Sequence, residues 1–445
     1  MRSCSDCTTY YEDTHSFRST IIFVHNTHSD YTYNLKLNSI AKYPADPRGS
    51  SRLLRVDEKG TVSHFANFSD SFQSLVQDAH IIFNESRVAN ARLSVVGGPG
   101  SNGKSIEMMV LDLGSVISGR CNGTKLNVML RSEKVKVDEV YKDNKNGRFQ
   151  FKVVKIVGPW IEDDHSNGMG TECIVECIGD DDASLANLFE SVGEVPIPPY
   201  LNRDAEAADE ESYNNVYAGA ESSGSVAAPT AGLHFTDDVL AQIGSENISY
   251  LTLHVGAGTF KPVSAEDARD HSMHSECFAV QVGELQRIIQ SLESGKRMVV
   301  VGTTSSRTLE SLFWCGVKHI LSSTGHHISS ETDLMTLGQH EWIELDKFSD
   351  NISPIDSLNA LIKDKKASDV ITGDTSLMIV PGRYDFKVVN ELVTNFHAPD
   401  STLMLLVSAF LGSGEKVREV YEDAQNLGYR FLSYGDVCLF SRSKK

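Results

Sequence analysis

No apolar run in this 445-residue chain approaches the roughly 20 residues that a membrane-spanning helix needs. The longest, Leu403–Leu411, is interrupted by Ser408 and suits a buried helix. Residues 1–30 carry Asp6, Glu12 and Asp13 and lack a long apolar core, so a secretory signal is not expected there, while an organelle address stays open. Positive charge is scarce: 41 Lys and Arg against 60 Asp and Glu leave a formal charge of −19. That balance excludes indiscriminate binding to nucleic acid, because phosphate contacts need cations. Eight cysteines are scattered, and only Cys4 and Cys7 have metal-like spacing, with no second Cys-x-x-Cys to complete four ligands. The expectation is of reduced thiols in a cytosolic protein. Also missing are the Walker lysine, a Gly-x-Gly-x-x-Gly fingerprint, a Gly-x-Ser-x-Gly elbow, a His-Glu-x-x-His helix and internal repeats.

What is present divides the chain by texture. Ser51–Val56 and Ile81–Phe83 read as short strands. Six closely spaced runs rich in Val and Ile follow at Arg92–Val96, Ile106–Leu111, Lys125–Leu130, Lys134–Val140, Phe149–Ile156 and Ile174–Ile178. Strands so spaced, with turns such as Asn146-Gly147 between them, predict a small all-β barrel. Beyond Pro196, Pro198 and Pro199 the pattern becomes α/β. An amphipathic helix is expected at Leu285, Ile288, Ile289 and Leu292, closed by Gly295. Arg297–Val301 reads as a buried parallel strand, Leu377–Val380 as a further strand and Val437–Phe440 as the last. Helices are expected near Lys387–Val393, Leu403–Leu411 and Lys416–Leu427. The predicted fold is α/β: a main domain over 31–90 and 197–445, a small β-barrel domain inserted at 91–196, an N-terminal extension at 1–30 and a surface insertion at about 316–374. Charge is uneven along it. Thr124–Lys155 holds nine Lys and Arg against four acids, whereas Ile161–Glu211 holds fifteen acids and one arginine. A basic face on an acidic protein permits selective RNA binding, although solvated strand faces would look the same.

Two stretches concentrate small residues beside a histidine: Pro229-Thr230-Ala231-Gly232-Leu233-His234-Phe235 and His254-Val255-Gly256-Ala257-Gly258-Thr259-Phe260. Glycine lets a chain turn sharply and approach a ligand, and histidine titrates near neutrality, so the pair suggests one composite small-molecule site. In open α/β sheets ligands sit beyond the carboxyl ends of strands. Three loops qualify there: His254–Phe260, Gly302–Ser306 and Pro381–Phe386. Gly302-Thr303-Thr304-Ser305-Ser306 leads from the strand into a helix expected to open near Arg307, and its exposed N–H groups favour a carboxylate or phosphate, or it is simply a capped helix start. His274 lies two residues from Glu276, which on a strand would give an imidazole oriented by a carboxylate; a polar turn before a strand at Phe278–Val282 fits equally. Arg87 and Arg92 near the domain junction suit an anionic ligand or a structural ion pair.

Taken together these blocks resemble a family. Ala228–Phe235, Leu251–Phe260, Met273–Glu276, Val301–Glu310 and Phe386–Gly412 are similar to those of S-adenosylmethionine:tRNA ribosyltransferase-isomerases of queuosine biosynthesis. So are Tyr43-Pro44, Ser51–Leu54, the run from Phe83 through Arg87 to Leu93, and Arg430–Asp436. The likeness runs from about Tyr31 to Phe440 in the family's order. Departures are the extra length at 1–30 and 316–374, Glu85-Ser86 before Arg87, and Ser272 where a basic residue is common.

The resemblance implies a transferase and isomerase. It would move the ribosyl part of S-adenosylmethionine onto 7-aminomethyl-7-deazaguanine at the tRNA wobble position, rearranging it to an epoxycyclopentane and releasing adenine and methionine. No metal or other cofactor is implied. His234, His254 and His274 are the expected proton-transfer groups, with Glu276 assisting. Thr230, Gly232, Gly256, Gly258, Thr259, Gly302, Thr303 and Thr304 would shape the substrate pocket. Arg307 would hold the methionine carboxylate, with Arg87, Arg92, Tyr384, Asn395 and His397 also binding substrate. Lys134 and Lys136 would grip tRNA. A cytoplasmic monomer is expected. A methyltransferase using S-adenosylmethionine and a non-catalytic tRNA-binding paralogue are the alternatives, and adenine release separates them.

Overall fold

The computed structural model describes residues 31–98, 103–113, 119–161, 169–179, 183–219, 222–257, 271–326, 333–399 and 401–442. Cys4, Cys7, Gly258 and Thr259 lie outside the described residues, as does the 1–30 extension.

A ten-stranded mixed sheet organises most of the chain. Its centre is parallel: Ile248–Leu253, Ala79–Asn84, Arg297–Val301 and Glu391–Asn395 lie side by side in that order. These strands are almost continuously apolar, as strands covered on both faces must be. Alternation assigns their side chains. Ile82 and Val300 face one core with the helices Val282–Glu293, Thr303–Ser323, Thr402–Leu411 and Gly414–Asn426. Ile81, Phe83, Val299 and Val301 face the other, with Phe68–Leu75 and Asp237–Ile243. The short helices start where Asn67 and Thr236 side chains accept from Asp70 and Val239 N–H groups.

A second, seven-stranded sheet covers the 92–194 region. Arg92–Gly97, Ile106–Val110, Lys125–Leu130, Met169–Ile178, Gln150–Ile161 and Val140–Asp143 pair antiparallel in that order, and Val140–Asp143 pairs back onto Arg92–Gly97, completing a circuit. Period-two alternation turns Leu126, Val128, Val153, Cys173 and Val175 inward, where the helix Leu185–Val192 packs on them. One backbone bond attaches this circuit to the loop after Ile248–Leu253, Ala257 N–H donating to Leu111 C=O (2.8 Å), and the same loop is held by Val226 N–H donating to Val255 C=O (2.8 Å).

Four expectations change. The strand expected at Lys134–Val140 is Val140–Asp143, because Asp138 takes φ +69° and turns the chain before it, while Asp143 collects N–H groups of Lys145, Asn146, Gly147 and Phe149 behind it. Leu377–Val380 joins no ladder; Leu377 C=O accepts from Arg307 Nε and Met378 N–H donates to Gln339 C=O. The helix expected near Lys387–Val393 gives way to the strand Glu391–Asn395, since the Glu310 carboxylate binds the N–H groups of Lys387, Val388 and Val389. The 316–374 stretch, expected as a surface insertion, places Leu337, Trp342, Leu345, Leu358, Leu361 and Ile371 in the core. Its strand Val370–Thr375 pairs with Glu276–Gln281, and its elements are too short for a clear period.

Candidate active site

Three of the central parallel strands end at Asn84, Val301 and Asn395, and Ile248–Leu253 leads into His254 at the same edge. Between this edge and the antiparallel circuit lies a cleft of about 1230 Å³, its open mouth included. His254, Gly256, His274, Glu276, Thr303, Thr304 and Arg307 line its sheet side, and Leu111, Asn127, Trp160 and Glu172 line the other. A second cavity of about 760 Å³ adjoins it, sharing Val255, Thr303, Thr304 and Leu403, and is walled by Thr230, Gly302, Asn395, His397, Tyr200 and Ser433.

Gly302 makes the junction. Its φ of +92° suits glycine, and its N–H donates to Val393 C=O at 2.8 Å. The chain therefore passes from strand to helix within one residue, and Thr303 and Thr304 meet both cavities with the first free N–H groups of a 21-residue helix. Asn84 Nδ2 holds Thr304 Oγ1 at 3.3 Å.

One turn into that helix, Arg307 is buried. Its Nη1 pairs with Glu276 and its Nε donates to Leu377 C=O, yet its Nη2 has no hydrogen-bond partner. Glu276 thus serves Arg307 rather than orienting His274. A buried guanidinium with one satisfied edge and one open donor is prepared for a planar anion. His254 is half-buried, its backbone N–H fixed to Cys277 C=O at 3.0 Å, and its Nδ1 has no partner either. Burial lowers its pKa, so the ring is neutral near pH 7 and one nitrogen is open as a base. His274 is exposed at the cleft wall.

His234 is placed differently. It is 4% exposed and lies behind the second cavity, against a small space of about 250 Å³ beside Ser51 and Arg48. Its Nδ1 meets Ser51 Oγ at 3.1 Å, and its Nε2 accepts from Asn395 Nδ2 at 3.3 Å. Asn395 Oδ1 in turn accepts from Thr230 Oγ1 at 2.8 Å. Burial first, then Arg430 and Arg48, push the His234 pKa down to about 3. His397 is buried with Nε2 on Thr394 Oγ1 at 2.7 Å, and burial lowers its pKa to about 4.

Gly232 is required by space: a Cβ there would collide with the Tyr217 hydroxyl and come within 2.7 Å of Asn215 Oδ1. A Cβ on Gly256 would meet Leu111 C=O at 3.2 Å.

The remaining expected residues lie elsewhere. Tyr384 is in the core, accepting from Trp314 Nε1 and donating to Glu310, both at 2.8 Å. Arg92 pairs with Glu107 at 2.9 Å, Arg87 is exposed on a two-residue strand, and neither lines a cavity of the site. Lys134 and Lys136 are exposed on the turn after Lys125–Leu130. The residues not anticipated are those of the far wall, Asn127, Trp160 and Glu172. Their only signal is strand alternation, which turns Asn127 outward between buried Leu126 and Val128.

Among the described residues no group of three His, Cys, Asp or Glu side chains is placed to hold a metal ion, and no helix is long and apolar enough to cross a membrane.

Relatives agree in kind. The family described as queuosine biosynthesis protein matches residues 28–440. A protein of Francisella tularensis subsp. mediasiatica named S-adenosylmethionine:tRNA ribosyltransferase-isomerase is 32% identical over 413 residues, covering 92% of this chain and 97% of that protein. Its counterpart in Francisella tularensis subsp. tularensis is 33% identical over 416 residues with the same coverage. The crystal structure of an S-adenosylmethionine tRNA ribosyltransferase from Thermotoga maritima is 23% identical, with a TM-score of 0.42 over 92% of this chain and 99% of that one. The matched span takes in both sheets and every wall of the cleft, and on it the chain belongs to the queuosine biosynthesis protein family.

Proposed function

We propose that this protein is an S-adenosylmethionine:tRNA ribosyltransferase-isomerase, converting 7-aminomethyl-7-deazaguanine in the tRNA wobble position to its epoxycyclopentane derivative. The observation that carries this reading is the pair of buried, unsatisfied nitrogens, Arg307 Nη2 and His254 Nδ1, on two residues that line one cleft. One is an anion donor for the methionine carboxylate, reinforced by the helix N-terminus at Thr303. The other is a base for the C5′ hydrogens that the sulfonium acidifies. Removal of that proton starts the rearrangement. Adenine leaves when a ring nitrogen receives a proton or hydrogen bond, for which His274 is the exposed candidate. The aminomethyl nitrogen attacks uncharged and loses a proton as its new C–N bond forms, the C–S bond breaks to release methionine, and the walls of the cleft shield the intermediate from water. His234 acts at one remove, holding Asn395 and through it Thr230.

The circuit of pairings over Arg92–Ile178 supports an inserted β-barrel domain at 91–196, held by a main domain of 31–90 and 197–445. Lys134 and Lys136 on its exposed turn would meet the anticodon stem. The protein would work as a monomer in the cytoplasm, without metal or other cofactor.

Incubation with S-adenosylmethionine and tRNA carrying the aminomethyl deazaguanine tests this by mass spectrometry. Adenine in step with a new epoxycyclopentane nucleoside is expected. S-adenosylhomocysteine would instead identify a methyltransferase, and tRNA binding without either product a non-catalytic paralogue.

A further inference from the structure

The wall of the cleft opposite His254 carries a polar pair on adjacent strands of the antiparallel circuit. Asn127 lies on Lys125–Leu130 and Glu172 on Met169–Ile178. Asn127 Nδ2 donates to Glu172 Oε1 at 3.0 Å. A carboxylate cannot donate, so this bond settles which way the amide faces. Asn127 Oδ1 is then left buried with no hydrogen-bond partner, although both residues line the cleft. An unsatisfied buried carbonyl is costly unless something brings it a donor. Trp160, 2% exposed, lines the same wall.

The pair thus offers two neighbouring acceptors, an amide oxygen and a carboxylate. Donors in the proposed reaction are the ammonium, ribose hydroxyls and adenine amino group of S-adenosylmethionine, and the aminomethyl group and the N1–H and 2-amino edge of the deazaguanine; only the last presents two donors side by side on one planar edge. The ammonium shares a carbon with the carboxylate assigned to Arg307, which lies on the sheet side beside Glu276. The base is different. Its 7-aminomethyl group and its N1 and 2-amino edge lie on opposite sides of the bicycle. A base with its aminomethyl group toward His254 and His274 therefore presents its donor edge to the far wall.

We infer that Glu172, positioned by Asn127, is the specificity-determining residue that reads the N1–H and 2-amino donor edge of the substrate base. This rests on the ribosyltransferase-isomerase reading and extends it to base selection. The antiparallel circuit then takes part in recognition at the site itself, as well as meeting tRNA elsewhere.

The test compares tRNA carrying 7-aminomethyl-7-deazaguanine with tRNA carrying the same base without its 2-amino group. With wild-type protein, loss of a hydrogen bond to a carboxylate should lower kcat/KM by roughly 10- to 100-fold. In Glu172→Gln that preference should shrink toward parity, with the KM for S-adenosylmethionine and the melting temperature unchanged. Asn127→Leu should weaken the preference by a smaller factor, because the carboxylate stays but is no longer held. A full wild-type preference in a folded Glu172→Gln protein would overturn the inference alone. So would a raised KM for S-adenosylmethionine with the preference intact, which would assign the pair to the ammonium. Wild-type protein that releases adenine with neither tRNA would overturn the functional reading and this inference with it.

Discussion

The segments 229–235 and 254–257 look alike in sequence, each setting a histidine among small residues, but they give those histidines opposite environments. His234 has both ring nitrogens engaged, by Ser51 and Asn395, and burial drives its pKa down to about 3. His254 is half-buried and keeps Nδ1 without a partner at the cleft. A satisfied imidazole is part of the scaffold, and an unsatisfied one is available for proton transfer. Motif similarity does not distinguish the two. Hydrogen-bond accounting does.

Substitution should widen the contrast. His254→Ala should lower kcat by about 10²- to 10⁴-fold, the usual worth of a general acid or base, with thermal unfolding little changed. His234→Ala should do the reverse, costing about 1–3 kcal/mol of stability through the unsatisfied Asn395 and Ser51 groups, with the smaller kinetic effect. Equal kinetic losses in two equally stable variants would collapse the comparison. Arg307→Met leaves the part-buried Glu276 side chain without its ion-pair partner. It should cost about 3–5 kcal/mol in chemical unfolding and raise the KM for S-adenosylmethionine rather than for tRNA.

Gly232→Ala, on the His234 loop, should cost about 1–3 kcal/mol because the Tyr217 hydroxyl must move; an unchanged melting temperature would show that Tyr217 yields freely. The pH profile tests the same scaffold. His234 and His397 have folded pKa values of about 3 and about 4, below the ordinary 6.5. The unfolded chain therefore binds more protons below pH 6.5. Stability is full above that pH and falls on acidification, with a slope approaching about 1.4 kcal/mol per pH unit for each ring until the folded values are reached. Replacing His234 should flatten the slope measured by denaturant titration between pH 6.5 and 4. The smallest effect is expected at the surface. Lys134→Glu with Lys136→Glu should raise the KM for tRNA and reduce the dependence of log K on log salt by about one per lysine.

Much of the frame was legible because its signals are local. The strand Arg297–Val301 and the helix Val282–Glu293 stand where a continuous apolar run and helical period put them, and Gly295 turns the chain at φ +72°. Lys387–Val393 was misread for a reason outside its own residues: the Glu310 carboxylate, from a helix some 77 positions earlier, takes its N–H groups and sets up a strand. Likewise, Tyr384 lies within a loop that belongs to the strand-end edge but points its hydroxyl at Glu310 in the core.

The sequence by itself determined the parallel strands and the placing of the His254 and Gly302 loops at one sheet edge, with His274 and Arg307 added by the family pattern; the helix expected to open near Arg307 starts at Thr303 instead. The correct placements follow from periodicity, glycine stereochemistry or the family pattern, which act over a few residues. Only the tertiary structure decided that Glu276 would pair with Arg307, that His234 would be neutral scaffold, and that Asn127 and Glu172 would form the far wall. Those outcomes depend on burial and on hydrogen-bond partners distant in the chain, and the free energy of a polar group is set by what surrounds it.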